Sequence, residues 1–97
     1  MEKKAHQYKL TLAYLKNAMG EEMNTPPLEM FFSNHDDIFA IIERQRERDF
    51  FGDVNQSTEF AIGLKLFGEV MLKNRKNPLF EELEPAFALF MKRLKGK

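Results

Sequence analysis

Apolar and polar positions alternate in two places in the first third of the chain. Tyr8, Leu10, Leu12 and Tyr14 fall on one set and Lys9, Thr11 and Ala13 on the other, which predicts a half-buried strand over about 6–15. Leu28, Met30 and Phe32 alternate with Glu29, Phe31 and Ser33, predicting a second strand over about 28–33 that pairs antiparallel with the first. Between them Gly20, Asn24 and the pair Pro26-Pro27 interrupt both helix and ladder, so residues 16–27 read as a long loop.

After Ser33 the period changes from two to between three and four. Asn34 stands where a side chain can cap a helix, Asp36 and Asp37 suit its positive end, and Ile38, Ile41 and Ile42 form a stripe, predicting a helix over about 35–49. Ser57 or Thr58 can cap a second helix over about 57–74. This one is apolar around most of its circumference: Phe60, Leu64, Phe67 and Met71 make one stripe, and Ile62, Leu66 and Val70 another. Such a helix is expected at the centre of the fold, with close packing at Gly63 and Gly68 to offset the helix cost of glycine. Asn77-Pro78 starts a short helical turn over about 78–83, and Pro85 predicts a kink before a last helix over about 85–95. Phe87, Phe90, Met91 and Leu94 share its apolar face. The order describes an α+β domain: an N-terminal antiparallel hairpin packed on three to four helices.

The chain has 97 residues, enough for one domain over 1–97 and one core, but little more. Fifteen cations balance fifteen anions, so no global field draws the protein to nucleic acid or an anionic membrane, and any such binding needs a local patch. The absence of cysteine excludes disulfides, thiolate metal sites and cysteine nucleophiles, and fits a reducing compartment. The opening MEKKAHQYK lacks the apolar core of a signal peptide, and no apolar run is long enough to span a bilayer. A cytoplasmic location without membrane contact is expected.

The strings NHDDIFAIIER at 34–44 and GLKLFGEVMLKNRKNPLFEEL at 63–83, with the closing PAFALFMKRLKG, resemble the domain-of-unknown-function family 3861. That family comprises small bacterial proteins, and the resemblance covers nearly the whole chain. It implies a small stand-alone bacterial protein, with no assigned reaction and no site residues to carry over.

Chemistry is sparse in the residues themselves. His35, Asp36 and Asp37 are metal-ligand types, but consecutive helical side chains diverge by about 100°, so capping by Asn34, Asp36 and Asp37 is the expectation and no metal or cofactor is anticipated. The serines and threonines have no evident histidine partner, and no phosphate-cradling glycine loop or nucleophile motif occurs, which argues against an enzyme. Glu43 to Asp49 reads as a solvated helix face with opposite charges at i, i+3.

Lys73, Arg75 and Lys76 end the second helix, and Lys92, Arg93, Lys95 and Lys97 end the last. Helix dipoles alone account for cations there. Brought together, the two ends would make an anion-binding patch, although no aromatic stacking motif supports nucleic acid, which is therefore not the expected ligand. Phe50 and Phe51, beside Gly52, and Met19 and Met23 in the long loop either fold back over the sheet or meet a partner; folding back is expected.

Three functional classes remain open. The first is a non-catalytic protein acting through protein contacts. The second is an anion or nucleic-acid binder using the basic helix ends, and the third a small-molecule site between the hairpin and the last helix. A two-stranded sheet also leaves both edges open. Either Phe50 to Val54 adds a third strand or a second copy covers the hairpin, and the apolar Phe31, opposite Phe32, points to a homodimer. Phe31, Phe50 and Phe51 are the candidate interface residues.

Overall fold

The computed structural model describes residues 4–96. Two strands, β1 (His6–Leu12) and β2 (Leu28–Asn34), form an antiparallel sheet in which Tyr8 faces Phe32, Leu10 faces Met30 and Leu12 faces Leu28. Helices α1 (Ile38–Arg48) and α2 (Val54–Lys73) follow, then a single 3-10 turn at Pro78–Phe80 and helix α3 (Leu83–Lys95). The α+β hairpin-and-helices architecture is the expected one.

The boundaries carry several corrections. The ladder stops at Leu12 opposite Leu28, because the next position on β2's side is Pro27, which has no N–H to give. The chain then runs into a smaller reversal, in which Met23 N–H donates to the Leu15 carbonyl (3.1 Å) around a turn where Gly20 has φ of 85°. Asn34 does not cap α1: it ends β2, and its Oδ1 accepts from Asp36 N–H (2.9 Å). Asp37 is the cap, accepting from Ala40 N–H (3.2 Å).

Likewise Asp53, not Ser57 or Thr58, caps α2, accepting from the amides of Asn55 and Gln56 at 2.8 and 3.2 Å. Residues 50–53 form that turn and add no third strand; the sheet among the described residues is two-stranded. Pro85 causes no break. It occupies the third position of α3, where its missing N–H would have had no partner inside the helix. We expect Asp37→Ala to lower stability by about 0.5–2 kcal/mol, read from the denaturation midpoint.

The core centres on the α1–α2 contact. Ile38, Ile42 and Ala61 are buried, with Tyr8, Phe32, Ile41 and Ile62 packed around them. The Tyr8 hydroxyl ties sheet to helix: it donates to the Asp36 carbonyl (2.8 Å) and accepts from Ile38 N–H (2.9 Å). Beyond this base the packing thins. Helix α2 is buried along Ser57, Ala61 and Met71, whereas Phe67 and Val70 stay exposed, so it is central on one side and open on the other.

Gly63 has no atom within 4 Å of a would-be Cβ, contrary to the close packing expected there, while Gly68 would meet the Phe87 ring at 3.8 Å. Gly63→Ala should therefore raise stability by about 0.5–1 kcal/mol, measurable as a higher midpoint at unchanged slope.

The thin packing shows in the whole. The chain exposes 8214 Å², against about 5,800 Å² for a folded monomer of 11.4 kDa. Its radius of gyration is 16.1 Å, against about 12.5 Å for a compact chain of this length.

Candidate functional site

A cleft of about 370 Å³ lies between the base of the hairpin, α2 and α3. Its apolar wall comes from Leu64 and Met71 on α2 and from Phe87 and Met91 on α3. Its polar rim combines Asn34 and Asp36, from the strand-to-helix junction, with Lys65, Glu69, Arg75, Glu84 and Lys95, so three cations face three carboxylates.

One ion pair organises the rim: Lys65 Nζ lies 2.6 Å from the Asp36 carboxylate. The Lys65 side chain is 18% exposed, and the backbone carbonyl of the same residue accepts from Asn34 Nδ2 (3.5 Å), with Asn34 itself buried. The hydrogen bond from Lys65 holds the Asp36 carboxyl below its ordinary pKa. The Lys65 charge helps, and Lys95 and His35 add smaller pulls, against a partial burial that pushes it up. A lowered pKa gives stability that is present above the ordinary carboxylate range and lost as pH falls through the lowered value. Asp36→Asn should thus weaken the fold at pH 7 and progressively less at acid pH; denaturation at pH 7 and pH 3 checks the sign.

Of the seven basic residues singled out at the helix ends, Arg75 and Lys95 meet in this cleft. Arg93 lies elsewhere, beside an apolar hollow of about 450 Å³ lined by Phe50, Phe51, Phe60, Phe90 and Leu94. Lys73, Lys76 and Lys92 are exposed and line neither recess, and Lys97 lies outside the described residues. Lys65 is the residue the charge runs did not reveal. It interrupts the apolar surface of α2 one turn after Ala61, and a lone cation there was the available signal.

A second cleft of about 310 Å³ shares Leu64, Lys65, Met91 and Lys95 and reaches Gln45, Arg44 and Arg48 on α1. Gln45 is buried and its Oε1 has no partner among the described residues. Among the described residues, no group of three or more His, Cys, Asp or Glu is placed to hold a metal ion. No described helix is long and apolar enough to cross a membrane.

Phe50 and Phe51 do not cover the sheet: they lie against the helices and stay half exposed. Phe51 meets Phe60 edge-on at 5.1 Å, Phe60 meets Phe90 at 6.2 Å, and the Arg48 guanidinium sits 4.9 Å over Phe50. Phe31 is 74% exposed on the sheet face opposite Tyr8. Met19 stays exposed at the loop tip, whereas Met23 is half-buried.

The family model described as Domain of Unknown Function with solved-structure structure (DUF3861) matches residues 6–96. The chain belongs to this family. A protein of unknown function from Pectobacterium atrosepticum, known from a crystal structure at 2.20 Å resolution, is similar to it in fold and sequence. The TM-score is 0.81 at 34% identity, and the match covers 97% of this chain and 100% of that one. No curated protein matches the chain. The sequence resemblance to the family is thereby established over the hairpin and all three helices.

Proposed function

We propose that this DUF3861 protein is a non-catalytic bacterial protein of the cytoplasm, a single domain over 1–97 that acts through contact with other protein surfaces. The observation that carries the reading is its unspent apolar surface. The chain exposes 8214 Å², roughly 2,400 Å² beyond the expectation for its mass, and much of the excess is aliphatic or aromatic: Leu12, Leu15, Phe31, Phe39 and Leu89 are each at least 65% exposed. On the hairpin, Leu12 and Leu28 pair across the strands next to Leu10 and Met30, and a contiguous exposed apolar group of this kind is what marks interaction sites.

Affinity capture from the native host tests this, with the wild-type chain compared against a Leu12→Ser, Met30→Ser variant of the hairpin. The wild type should retain a defined set of proteins that the variant releases. An identical set on both would remove the hairpin from the contact surface.

Small-molecule or anion binding is the second reading, favoured by a cleft with an apolar wall on which Arg75, Lys95 and the Lys65–Asp36 pair converge beside the carboxylates of Glu69 and Glu84. Inorganic phosphate should then raise the melting temperature, and rising sodium chloride should abolish the shift. No shift in phosphate would reject an anion site there. Nucleic acid is disfavoured, since Lys73, Lys76 and Lys92 do not join the cleft.

A further inference from the structure

We propose that the cleft between α1, α2 and α3 binds a small hydroxy acid: a carboxylate on an apolar body that also carries a hydroxyl group. This rests on the small-molecule reading above and moves it from the cleft at Asp36 to its neighbour, which shares Lys65.

The two clefts differ in charge. Around the first, three cations face three carboxylates, so it holds no net preference for an anion. The second, of about 310 Å³, is lined by four cations, Arg44, Arg48, Lys65 and Lys95, and by no acidic residue. Lys65 is already matched by Asp36 at 2.6 Å, whereas Arg44, Arg48 and Lys95 form no ion pair among the described residues. Two guanidinium groups four residues apart on one helix can share a carboxylate, whose planar pair of oxygens fits their planar forks. Arg48 lies 4.9 Å over the Phe50 ring, a contact that restricts its swing.

The helix face itself narrows the ligand further. Ile41, Arg44, Gln45 and Arg48 recur at i, i+3, i+4 and i+7 and so stand on one side of α1. A stripe turned toward neighbouring helices is ordinarily apolar, yet here only Ile41 is. Gln45 is the deepest of the polar members, 5% exposed, and its Oε1 accepts no hydrogen bond among the described residues. A buried acceptor without a donor costs the fold stability and returns nothing to it, which is why such groups are usually paired. A ligand hydroxyl supplies the missing donor. Leu64 of α2, with Met91 and Leu94 of α3, completes the wall and suits a hydrocarbon body. The carboxylate belongs at the exposed Arg44 and the hydroxyl at the buried amide next to it, so the two groups sit close together on the ligand and the hydrocarbon extends beyond them.

Calorimetric titration of the purified chain with 3-hydroxyoctanoate tests the assignment, with octanoate, acetate and octylamine as comparison ligands. Saturable binding of the hydroxy acid is expected, with octanoate about 5-fold weaker for want of the hydroxyl. Acetate, which lacks the body, and octylamine, which has the wrong charge, should not bind. The Arg44→Gln, Arg48→Gln double variant should bind the hydroxy acid about 10-fold more weakly, while Arg46→Gln, off this stripe, should match the wild type. Gln45→Met should bind the two acids equally and melt at a higher temperature, since an unpaired buried oxygen has gone. No saturable binding of the hydroxy acid, full retention of it in the double variant, equal affinity of the wild type for the two acids, or octylamine binding as tightly as octanoate overturns the proposal. The phosphate-induced melting shift reports on the first cleft, which Arg44 and Arg48 do not line, and should persist in the double variant, so the two readings fail separately.

Discussion

Phe80→Ala is expected to lower stability by about 3–5 kcal/mol, the largest effect of any single substitution proposed for this chain. Phe80 is a buried side chain in a turn of three residues, held there by Asn77, whose Oδ1 accepts from Leu79 N–H (2.9 Å). Its ring meets Phe67 edge-on at 6.1 Å, and Phe67 in turn meets Phe87 of α3 at 5.9 Å. Those rings fasten α3 to α2 at the turn end of α3, where the long cleft otherwise separates the two helices. Removing Phe80 leaves a cavity and withdraws one edge of the aromatic chain, so the loss should concentrate in α3. Hydrogen exchange should show the amides of 83–95 losing more protection than those of α1. Uniform loss across both helices would show that α3 is secured by other contacts.

Ile42→Ala is expected to cost about 2–5 kcal/mol. Ile42 sits between Ile38 and Gln45 on the buried stripe of α1 and packs into the cluster containing Ala61, which has no exposed surface. An alanine so enclosed fixes the distance between the helices, and the facing isoleucines cannot slide inward to fill the hole. Phe39→Ala is the internal control: Phe39 is on the same helix but 71% exposed, so its loss should fall within about 0.5 kcal/mol. Equal effects at the two positions would mean that the α1–α2 contact is not the stabilising centre.

The elements were legible in the sequence wherever an apolar period met a chemically distinct neighbour. The two strands and their antiparallel pairing follow from alternation, and β1's early end follows from Pro27, whose effect lies on the opposite strand, out of sight in a reading of residues 6–15 alone. Helix starts slipped for a shared reason. Asp37 and Asp53 outcompeted the neighbouring Asn34 and Ser57 as caps because the chain turned at them, and turn geometry depends on packing as well as on side-chain type. Pro85 was read as a breaker because its distance from the true helix start was off by two residues.

The site was less legible. Arg75 and Lys95 converge because α3 folds back along α2, whereas Arg93, two residues before Lys95, is turned to the phenylalanine hollow by the helix's own rotation. The Lys65–Asp36 pair joins residues from separate elements and left no local pattern to find. Least visible of all was how little of α2 is covered, since apolar periodicity reports which faces seek burial and not whether the chain has enough material to provide it.

The proline pair at 26 and 27 opposes extension of the hairpin ladder beyond Leu28. An open two-stranded sheet with an adhesive face is a template for strand-by-strand addition, the route by which exposed edges seed fibrils. Here the ladder is only seven residues long on each strand, and the chain beyond its outer end offers two consecutive positions without an N–H. A chain extending edge-on past the outer end of the ladder finds no amide donor at those two positions, while one approaching the aliphatic face does not use those groups at all. The prolines leave the aliphatic face of the hairpin open to contact while opposing extension of its ladder past Leu28.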